Sequence, residues 1–487
     1  MHQDPHKARR HHAGRDVAIQ IVVRVLNLAL GVVVTALVAR ALGDAGFGQW
    51  STILVVVQLI AYFTSFGVES VVIREATAHP EDEGEWLGAL LILRALLSLP
   101  AMVVGLVVVL LLQESTEMLV AGLVLLAQTP FNVGAALRVT HQLRVSNWVP
   151  MAILTLNSVL WGAAVVVIYV VGGGLVPLAV SMTATAILTA TLQAIAAVKI
   201  ARPSLRPSRE ATMRLARVGL PVGISGLLVL AYARIDQLLV FSIAGSTAAG
   251  LYGAEYRIVE QAHLVPVSVM TTLSPILAAA WTTNRERSLR ITWLAAEYLT
   301  IASLGGLAVS LFVARPLTVL LYGQDFAAAA PALPVLAGAF VFICFGYLTG
   351  NLILVAGLQK RLVTVGMIGL VFNVAGNALL IPAWGFMGAA WMTLATEGAV
   401  VIATGVILRR QLGLVAPPLG RMGRVVVSAA ILAGVLALAD GLDAPLAVLL
   451  VLASLVYPAL LLALRALDLN EVRALLRERA GTASAVS

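Results

Sequence analysis

The fold is decided by residues 17–74, which read VAIQIVVRVLNLALGVVVTALVARALGDAGFGQWSTILVVVQLIAYFTSFGVESVVIR. This stretch contains two apolar runs, 17–40 and 50–74. Each run is long enough to cross about 30 Å of hydrocarbon as a helix. The connection from Gly43 to Trp50 is rich in glycine, which permits a tight reversal of the chain. The segment therefore predicts two membrane-spanning helices joined by a short turn.

Similar apolar runs continue along the whole chain of 487 residues. Hydrophobic residues make up 60% of the sequence and charged residues 11%, whereas about a quarter of a soluble chain is charged. The remaining predicted spans are 87–112, 118–138, 147–171, 174–199, 217–243, 250–280, 290–314, 328–356, 361–381, 386–408, 423–440 and 444–465. We therefore predict an all-α, polytopic membrane protein of about fourteen transmembrane helices.

The glycine-rich turn recurs later in the chain. Residues 43–50 and 245–252 both read Gly-x4-Gly-x-aromatic, at an offset of 202 residues (245 − 43). A shared turn at the same point of two six-helix halves indicates a duplicated unit, although short outer loops often contain glycine and an aromatic residue. We predict two pseudo-symmetric lobes and a C-terminal helix pair. The predicted organisation is a tail at 1–16, lobes at 17–199 and 217–408 joined by a linker at 200–216, a helix pair at 423–465 and a tail at 466–487.

Basic residues predict the orientation in the membrane. Lys and Arg concentrate in the N-terminal tail, in the linker and between Arg409 and Arg424, whereas the predicted outer loops hold only Arg40 and Arg315. Because basic loops are retained in the cytoplasm, we expect both termini and the linker to be cytoplasmic. The net charge of +8 then reflects topology, and we expect no nucleic-acid binding.

Several kinds of chemistry are disfavoured by the residues present. Cys344 is the only cysteine, so an intrachain disulfide is excluded. No lysine is followed by Ser or Thr in a glycine-rich loop, so a phosphate-binding loop for ATP is absent. Membrane glycosyltransferases and polymerases generally need a large outer loop, and the predicted outer loops are short, which disfavours an enzyme. We expect no catalytic residue, no cofactor and no metal.

Five pieces of the chain carry a family resemblance. They are Ala39–Gly43 with Phe47–Trp50, Arg234–Asp236, Gly250–Arg257, Leu354–Lys360 and the series from Asn373 to Ala390, which contains Asn377, Leu380-Ile381-Pro382 and Gly388-Ala389-Ala390. In this order they resemble the polysaccharide flippase branch of the multidrug/oligosaccharidyl-lipid/polysaccharide exporter superfamily. The resemblance implies two six-helix lobes around a central cavity.

The resemblance also implies an activity. Such proteins move undecaprenyl-diphosphate-linked oligosaccharides from the cytoplasmic to the outer leaflet of the bacterial cytoplasmic membrane, by alternating access, for cell-surface polysaccharide synthesis. A carrier of this kind forms its pathway within one chain, so we expect a functional monomer among membrane lipids, working beside glycosyltransferases or a polymerase. A drug or cation antiporter, a lipid II flippase and a membrane glycosyltransferase stay open as alternatives, although the pair at 423–465 favours the flippase branch.

The expected substrate contacts are cationic and polar residues inside the predicted spans. Gln20, Arg24 and Asn27 share one face of the first helix, and a guanidinium group matches the oxygens of a phosphate. We predict substrate contacts from these three residues and from Arg94 and Arg257. For Arg24 and Arg94 the alternative is extension of the side chain toward the nearer headgroups.

Acids within the spans are candidates for ion coupling. Arg257, Glu260 and His263 are three residues apart and share a helix face. Glu260 is a candidate proton or sodium coupling site, or it simply neutralises Arg257. Asp236 and Glu397 are the other predicted coupling acids.

Overall fold

The computed structural model describes residues 5–144, 148–413 and 419–467, with side chains described from Leu26 onward except at 222, 225, 282, 412 and 419. The described residues form α-helices and no strand, so the predicted all-α class is confirmed. The helices are α1 (Pro5–Ser65), α2 (Val68–Ala78), α3 (Glu83–Leu112), α4 (Thr116–Leu126), α5 (Asn132–Ala135), α6 (Val139–Leu143), α7 (Trp148–Val171), α8 (Leu175–Val198), α9 (Arg209–Ala262), α10 (Leu264–Thr283), α11 (Arg285–Tyr322), α12 (Ala332–Val355), α13 (Gln359–Trp384), α14 (Phe386–Leu412), α15 (Leu419–Asp440) and α16 (Leu446–Ala463). Short 3₁₀ helices lie at Pro80–Asp82, Ala136–Arg138 and Gln324–Ala329.

Within the described ranges, eleven helical segments are long and apolar enough to cross a membrane. Two of them, Leu26–Ala78 and Gly226–Trp281, each cover one predicted span and most of the span before it. The predicted span 118–138 contains only a shorter apolar helix, Thr116–Leu126. The polytopic membrane fold is confirmed, whereas the count of fourteen helices stays a prediction.

The two glycine-rich turns have the same backbone conformation. Gly43 has φ 66° and ψ −177°, and Gly245 has φ 82° and ψ 179°. Residues with a side chain rarely adopt this conformation, so glycine is required at both positions. Each glycine breaks the regular helix at the point where the sequence predicts a reversal between two spans.

The second glycine of each turn allows the two turns to cross in close contact. A Cβ atom on Gly48 would overlap the carbonyl oxygen of Ser246, and a Cβ atom on Gly250 would overlap the carbonyl oxygen of Asp44. Asp44 and Ser246 are themselves 202 positions apart (246 − 44), so the contact is reciprocal. The repeat predicted from the sequence is thus visible as a two-fold arrangement of the two turns.

Two predicted spans in the first half are interrupted. The span 50–74 is divided because α1 ends at Ser65, where Phe66 and Gly67 have φ angles of 47° and 64° and redirect the chain into α2. The span 118–138 is divided after Leu126, near Pro130, which lacks a backbone N–H and restricts the residue before it. Continuous helices at both positions were wrong predictions.

A third predicted span, 250–280, is divided at His263, where α9 ends and α10 begins. Pro266 lies in the first turn of α10 and has no N–H with which to continue the hydrogen bonds of α9. The break separates the predicted group of Arg257, Glu260 and His263 from the rest of that span.

The elbow between α1 and α2, residues 62–68, packs against glycines of α9. The close pairs are Gly219 with Val68, Gly223 with Phe66 and Gly226 with Tyr62, and a Cβ atom on any of these glycines would overlap its partner. Small residues four and three positions apart let helices approach closely. The start of the second predicted lobe is therefore packed on the first.

The predicted linker also packs on the first half of the chain. The Ser204 N–H donates to the Gly84 carbonyl at 2.7 Å, and the Ser208 N–H donates to the Glu85 carboxylate at 3.2 Å. A Cβ atom on Gly88 would overlap the Ser204 carbonyl oxygen. The linker is thus anchored to the N-terminal end of α3.

The chain divides into two compact units. Unit 1 comprises Met1–Gly253 with Leu321–Phe326, and unit 2 comprises Ala254–Leu320 with Ala327–Ser487. The contacts of α9 with the elbow and of Gly250 with the first turn account for the extension of unit 1 to Gly253. The predicted lobes 17–199 and 217–408 stay a prediction.

Candidate functional site

The predicted polar face of the first helix is described only in part. The side chains of Gln20 and Arg24 lie outside the described residues. Asn27 is half-buried, and its Nδ2 atom donates to Thr155 Oγ1 of α7 at 3.3 Å. Asn27 therefore joins two helices within unit 1, and its predicted substrate contact stays a prediction.

Arg94 lies at the elbow, in a cluster with Glu69 and Arg138. Its side chain is 9% exposed, and its Nη1 atom lies 3.5 Å from Glu69 Oε1. Its Nε atom donates to the carbonyl of Thr64 at 3.4 Å, a group that the end of α1 leaves without a helical donor. Arg138 Nη2 donates to Glu69 Oε2 at 2.9 Å. One carboxylate is therefore held between two guanidinium groups.

Burial changes the interpretation of Arg94. Its guanidinium is buried within unit 1, where Glu69 offsets its charge. The side chain is therefore not extended toward the headgroups, which was the alternative considered from the sequence. The arrangement stabilises the elbow by joining the last turn of α1 to the first turn of α2. A substrate contact by Arg94 stays a prediction.

A second acid in the elbow region is paired in the same way. Glu75 is buried, with 6% of its side chain exposed, and it accepts from Arg74 at 3.0 Å and from Arg214 at 2.8 Å. The guanidinium of Arg214 also lies over the ring of Trp86, 5.8 Å from its centroid. Arg214 thus fixes the beginning of α9 to α2 and α3.

Charged groups continue along the short helix α6. Arg144 donates to both carboxylate oxygens of Glu83, at 2.6 and 2.9 Å, and this hydrogen bonding raises the pKa of Arg144. His141 is buried, and neither ring nitrogen has a hydrogen-bond partner. Burial lowers the pKa of His141 below its ordinary value, and the positive charge of Arg144 lowers it further. His141 is therefore held neutral.

In unit 2, the predicted group on α9 forms an ion pair. Arg257 Nη1 lies 2.8 Å from Glu260 Oε2, and about a fifth of each side chain is exposed. The ring of His263 stacks on Phe340, with centroids 5.7 Å apart, and meets Tyr347 edge-on at 6.3 Å. The neutralising pair considered from the sequence is thus present, and a coupling role for Glu260 stays a prediction.

Asp236 lies within a polar network of unit 1. It is 5% exposed and accepts from the Tyr252 hydroxyl at 3.3 Å. The adjacent Gln237 donates to Ser51 Oγ at 2.9 Å and to the Ala249 carbonyl at 3.0 Å. The network joins α9 to the two crossing glycine turns.

Polar residues of α13 and α14 form a buried contact. Asn377 Nδ2 donates to Asn373 Oδ1 at 3.0 Å, and Asn373 Nδ2 lies 3.5 Å from Thr396 Oγ1. Both asparagines are almost fully buried. Glu397 lies next to Thr396 and is half-buried. The asparagines therefore connect the two helices, and a coupling role for Glu397 stays a prediction.

Sequence reasoning missed the most deeply buried acid that the structure describes. Glu255 of α9 is 0% exposed, and its Oε1 atom lies 2.6 Å from Thr318 Oγ1 of α11. Its Oε2 atom has no hydrogen-bond partner. The signal was present, because Glu255 falls inside the predicted span 250–280, but only Glu260 there was weighed as a coupling acid.

Unit 2 also contains an apolar cavity between α11 and α16. Its volume is about 490 Å³, and residues such as Ile301, Gly305, Tyr457 and Leu461 line it. The Tyr457 hydroxyl is directed to the Ile301 carbonyl at 2.8 Å, which leaves an apolar wall. Such a wall suits a hydrocarbon chain.

The fold resembles that of solved membrane transporters. A solved structure of the lipid II flippase MurJ in an inward closed conformation has a TM-score of 0.74 at 13% identity, over 91% of this chain and 98% of that one. An inward-facing multidrug resistance MATE family transporter of the MOP superfamily has a TM-score of 0.64 at 19% identity, over 80% of this chain and 94% of that one. The chain thus shares the polytopic helical fold of these two solved structures.

The sequence comparisons define the family more narrowly. Residues 13–281 match the family described as polysaccharide biosynthesis protein, and the chain belongs to this family. A curated relative, the probable flippase AglR of Haloferax volcanii, is 25% identical over 239 residues, which are 47% of this chain and 49% of AglR. The chain therefore matches about half the length of that relative.

Proposed function

We propose that the protein is a flippase that moves an undecaprenyl-diphosphate-linked oligosaccharide from the cytoplasmic to the outer leaflet of a bacterial cytoplasmic membrane. The family match over 13–281 carries this proposal. The similarity to a probable flippase and the fold shared with a lipid II flippase support it. The protein is a multi-pass membrane protein with a transporter's fold, and we propose that its product serves cell-surface polysaccharide synthesis.

The proposed substrate is an amphiphilic anion, with a charged diphosphate and an apolar hydrocarbon chain. The protein contains residues suited to bind each of these two parts. Arginine side chains bind phosphate oxygens in a planar, bidentate geometry. We propose Arg24 as the main contact to the diphosphate, with Gln20 and Asn27 on the same helix face and with Arg94 and Arg257 as further contacts. The apolar cavity of unit 2 supports a substrate with a hydrocarbon chain.

The proposed topology places both termini and the linker in the cytoplasm. The basic residues of the N-terminal tail, the linker and the segment from Arg409 to Arg424 support this orientation. Two lobes at 17–199 and 217–408 would alternate access within a single chain. Glu260, Asp236 and Glu397 are the proposed sites at which a proton or sodium gradient acts on this cycle.

Substitution of Arg24 tests the proposed function. In a strain whose own flippase is deleted, the wild-type protein should restore surface polymer, and Arg24→Ala should reduce it at least tenfold at equal membrane abundance. The control is Arg206→Ala, because Arg206 is exposed in the linker and should tolerate the change. Wild-type polymer levels from Arg24→Ala would remove Arg24 from the mechanism, and no polymer from the wild type would contradict the flippase.

Two other transport functions follow from the structural similarities. The MATE-like fold favours a drug or cation antiporter as the second candidate, and the MurJ-like fold favours lipid II as an alternative substrate. Transport assays with the purified protein in vesicles distinguish the three candidate functions. Export of a fluorescent cation without lipid movement would support the antiporter, and flipping of lipid II but not of the oligosaccharide lipid would support the peptidoglycan precursor.

A further inference from the structure

Glu255 is an unusual residue within unit 2. No part of its surface is exposed, and among the described residues its one side-chain hydrogen bond is to Thr318. A carboxylate in such a place would lose its hydration and receive at most one hydrogen bond in return. Burial of this kind favours the neutral, protonated form.

The hydrogen-bond geometry around Thr318 also fits a proton on Glu255. Thr318 Oγ1 lies 2.6 Å from Glu255 Oε1 and 2.7 Å from the Ala314 carbonyl oxygen. A hydroxyl group has one proton, so it can make a full, linear hydrogen bond to only one of these oxygens at a time. The Ala314 carbonyl has no proton to offer. Both short contacts become full hydrogen bonds if Thr318 donates to Ala314 and a protonated carboxyl group of Glu255 donates to Thr318.

The charged neighbours of Glu255 do not compensate a negative charge. On its own helix, Arg257 and Glu260 pair with one another at 2.8 Å. On α11, Arg315 is exposed. Within the described part of the chain, Glu255 forms no ion pair. The Oε2 atom has no hydrogen-bond partner, whereas both oxygens of a buried, ionised carboxylate would normally accept hydrogen bonds.

We propose that Glu255 is a proton-binding site of the transport cycle, held in the protonated state by its contact with Thr318. Glu255 lies five residues beyond Gly250, or about 8 Å along the helix. Under the proposed topology this position is near the outer side of the membrane. When the site becomes hydrated, the O–H bond of the carboxyl group breaks, the proton passes to water and a carboxylate remains; reprotonation restores the contact with Thr318.

Infrared spectroscopy of the purified protein in lipid nanodiscs tests the proton directly. At neutral pH, the wild type should show the C=O band of a buried carboxylic acid that Glu255→Gln lacks. The control is Glu286→Gln, whose side chain is 88% exposed in the wild type and should leave the band unchanged. Thr318→Val should shift the frequency of the band, because the acid loses its hydrogen-bond acceptor. Identical spectra for wild type and Glu255→Gln would overturn the proposal.

Coupling is tested by flipping of the oligosaccharide lipid in vesicles with an imposed pH gradient, and this step rests on the proposed function. The wild type and Glu286→Gln should change rate by severalfold when the gradient is reversed, whereas Glu255→Gln should respond less than twofold. A full response from Glu255→Gln would overturn coupling at this residue. Absence of flipping in every protein at every pH would overturn the proposed function together with the coupling, while the infrared band would still decide whether Glu255 carries a proton.

Discussion

Glu69 in unit 1 and Glu255 in unit 2 are acids in predicted membrane spans, and the protein accommodates them in opposite ways. Glu69 accepts from Arg138 at 2.9 Å and faces the guanidinium of Arg94 at 3.5 Å. Glu255 has one hydroxyl neighbour and no ion pair among the described residues. Cations lie beside the first acid, whereas no ion pair of the described residues offsets a charge on the second. The same residue type therefore forms a structural ion-pair cluster in one place and the proposed proton-binding site in the other.

The largest effect should come from removing the charge of Glu69. Glu69→Gln leaves two guanidinium groups facing each other at the elbow, and we expect a loss of about 3 kcal/mol in the free energy of unfolding. Thermal unfolding in detergent measures the change. Glu81→Gln is the control, because that side chain is 71% exposed. Equal unfolding temperatures for the Glu69→Gln variant and the wild type would contradict the charge-compensated elbow.

A smaller effect should appear on acidification, through His141. Its pKa in the folded protein lies below the ordinary value of 6.5, so the unfolded chain binds the proton first. The free energy of unfolding is then at its full value above pH 6.5 and decreases as the pH drops through and below that value.

Unfolding temperatures measured from pH 7.5 to 5.5 check this prediction. His141→Leu should weaken the dependence, while His79→Gln should retain it, because His79 is exposed. The same pH dependence in His141→Leu as in the wild type would exclude His141 as its source.

Thr318→Val sharpens the comparison at the other acid. The substitution keeps the shape of the side chain and removes the acceptor of the Glu255 proton, so we expect a loss of about 1 kcal/mol in unfolding free energy. Thr318→Ser should recover most of that loss. An unchanged free energy of unfolding in the Thr318→Val variant would mean that the contact between Thr318 and Glu255 is not a hydrogen bond.

The smallest effect is expected for Glu255→Gln. An amide has the shape of the neutral acid and can donate to Thr318, so stability should stay within about 0.5 kcal/mol of the wild type. Chemical unfolding of both proteins under the same conditions provides the measurement. A loss as large as that of Glu69→Gln would show that Glu255 is ionised and would erase the difference between the two acids.

The sequence predicts those features that depend on local composition. Apolar runs of fixed length indicate the helices, and glycines at 43 and 245 indicate turns because the backbone there needs a positive φ. The repeat could be predicted from the shared pattern, whereas the role of Gly48 and Gly250 in the crossing of the two turns could not, because each makes room for a carbonyl of the opposite turn. Interruptions such as that at Phe66 follow from packing against α9, which spacing alone does not reveal.

The partners of charged side chains were much harder to predict. Glu255 and Glu260 lie five residues apart in one predicted span, and sequence spacing gave a reason to select only Glu260. What distinguishes them is Thr318, 63 positions away, and the neighbouring Arg257. Arg94 likewise finds Glu69 from another helix. Long-range contacts of this kind depend on the tertiary fold, which an isolated sequence does not specify.

The crossing of the two glycine turns has a consequence for chimeric proteins and for the evolutionary record. Because each turn leaves room for the backbone of the other, a bulky residue at either Gly48 or Gly250 collides with a carbonyl from the opposite turn. Halves taken from two homologues should therefore assemble only when one half keeps Gly48 and the other keeps Gly250. A chimera that fails to assemble should be rescued by restoring the missing glycine, and not by substitutions in the opposite turn. Alignments of relatives should show the two positions gained or lost together.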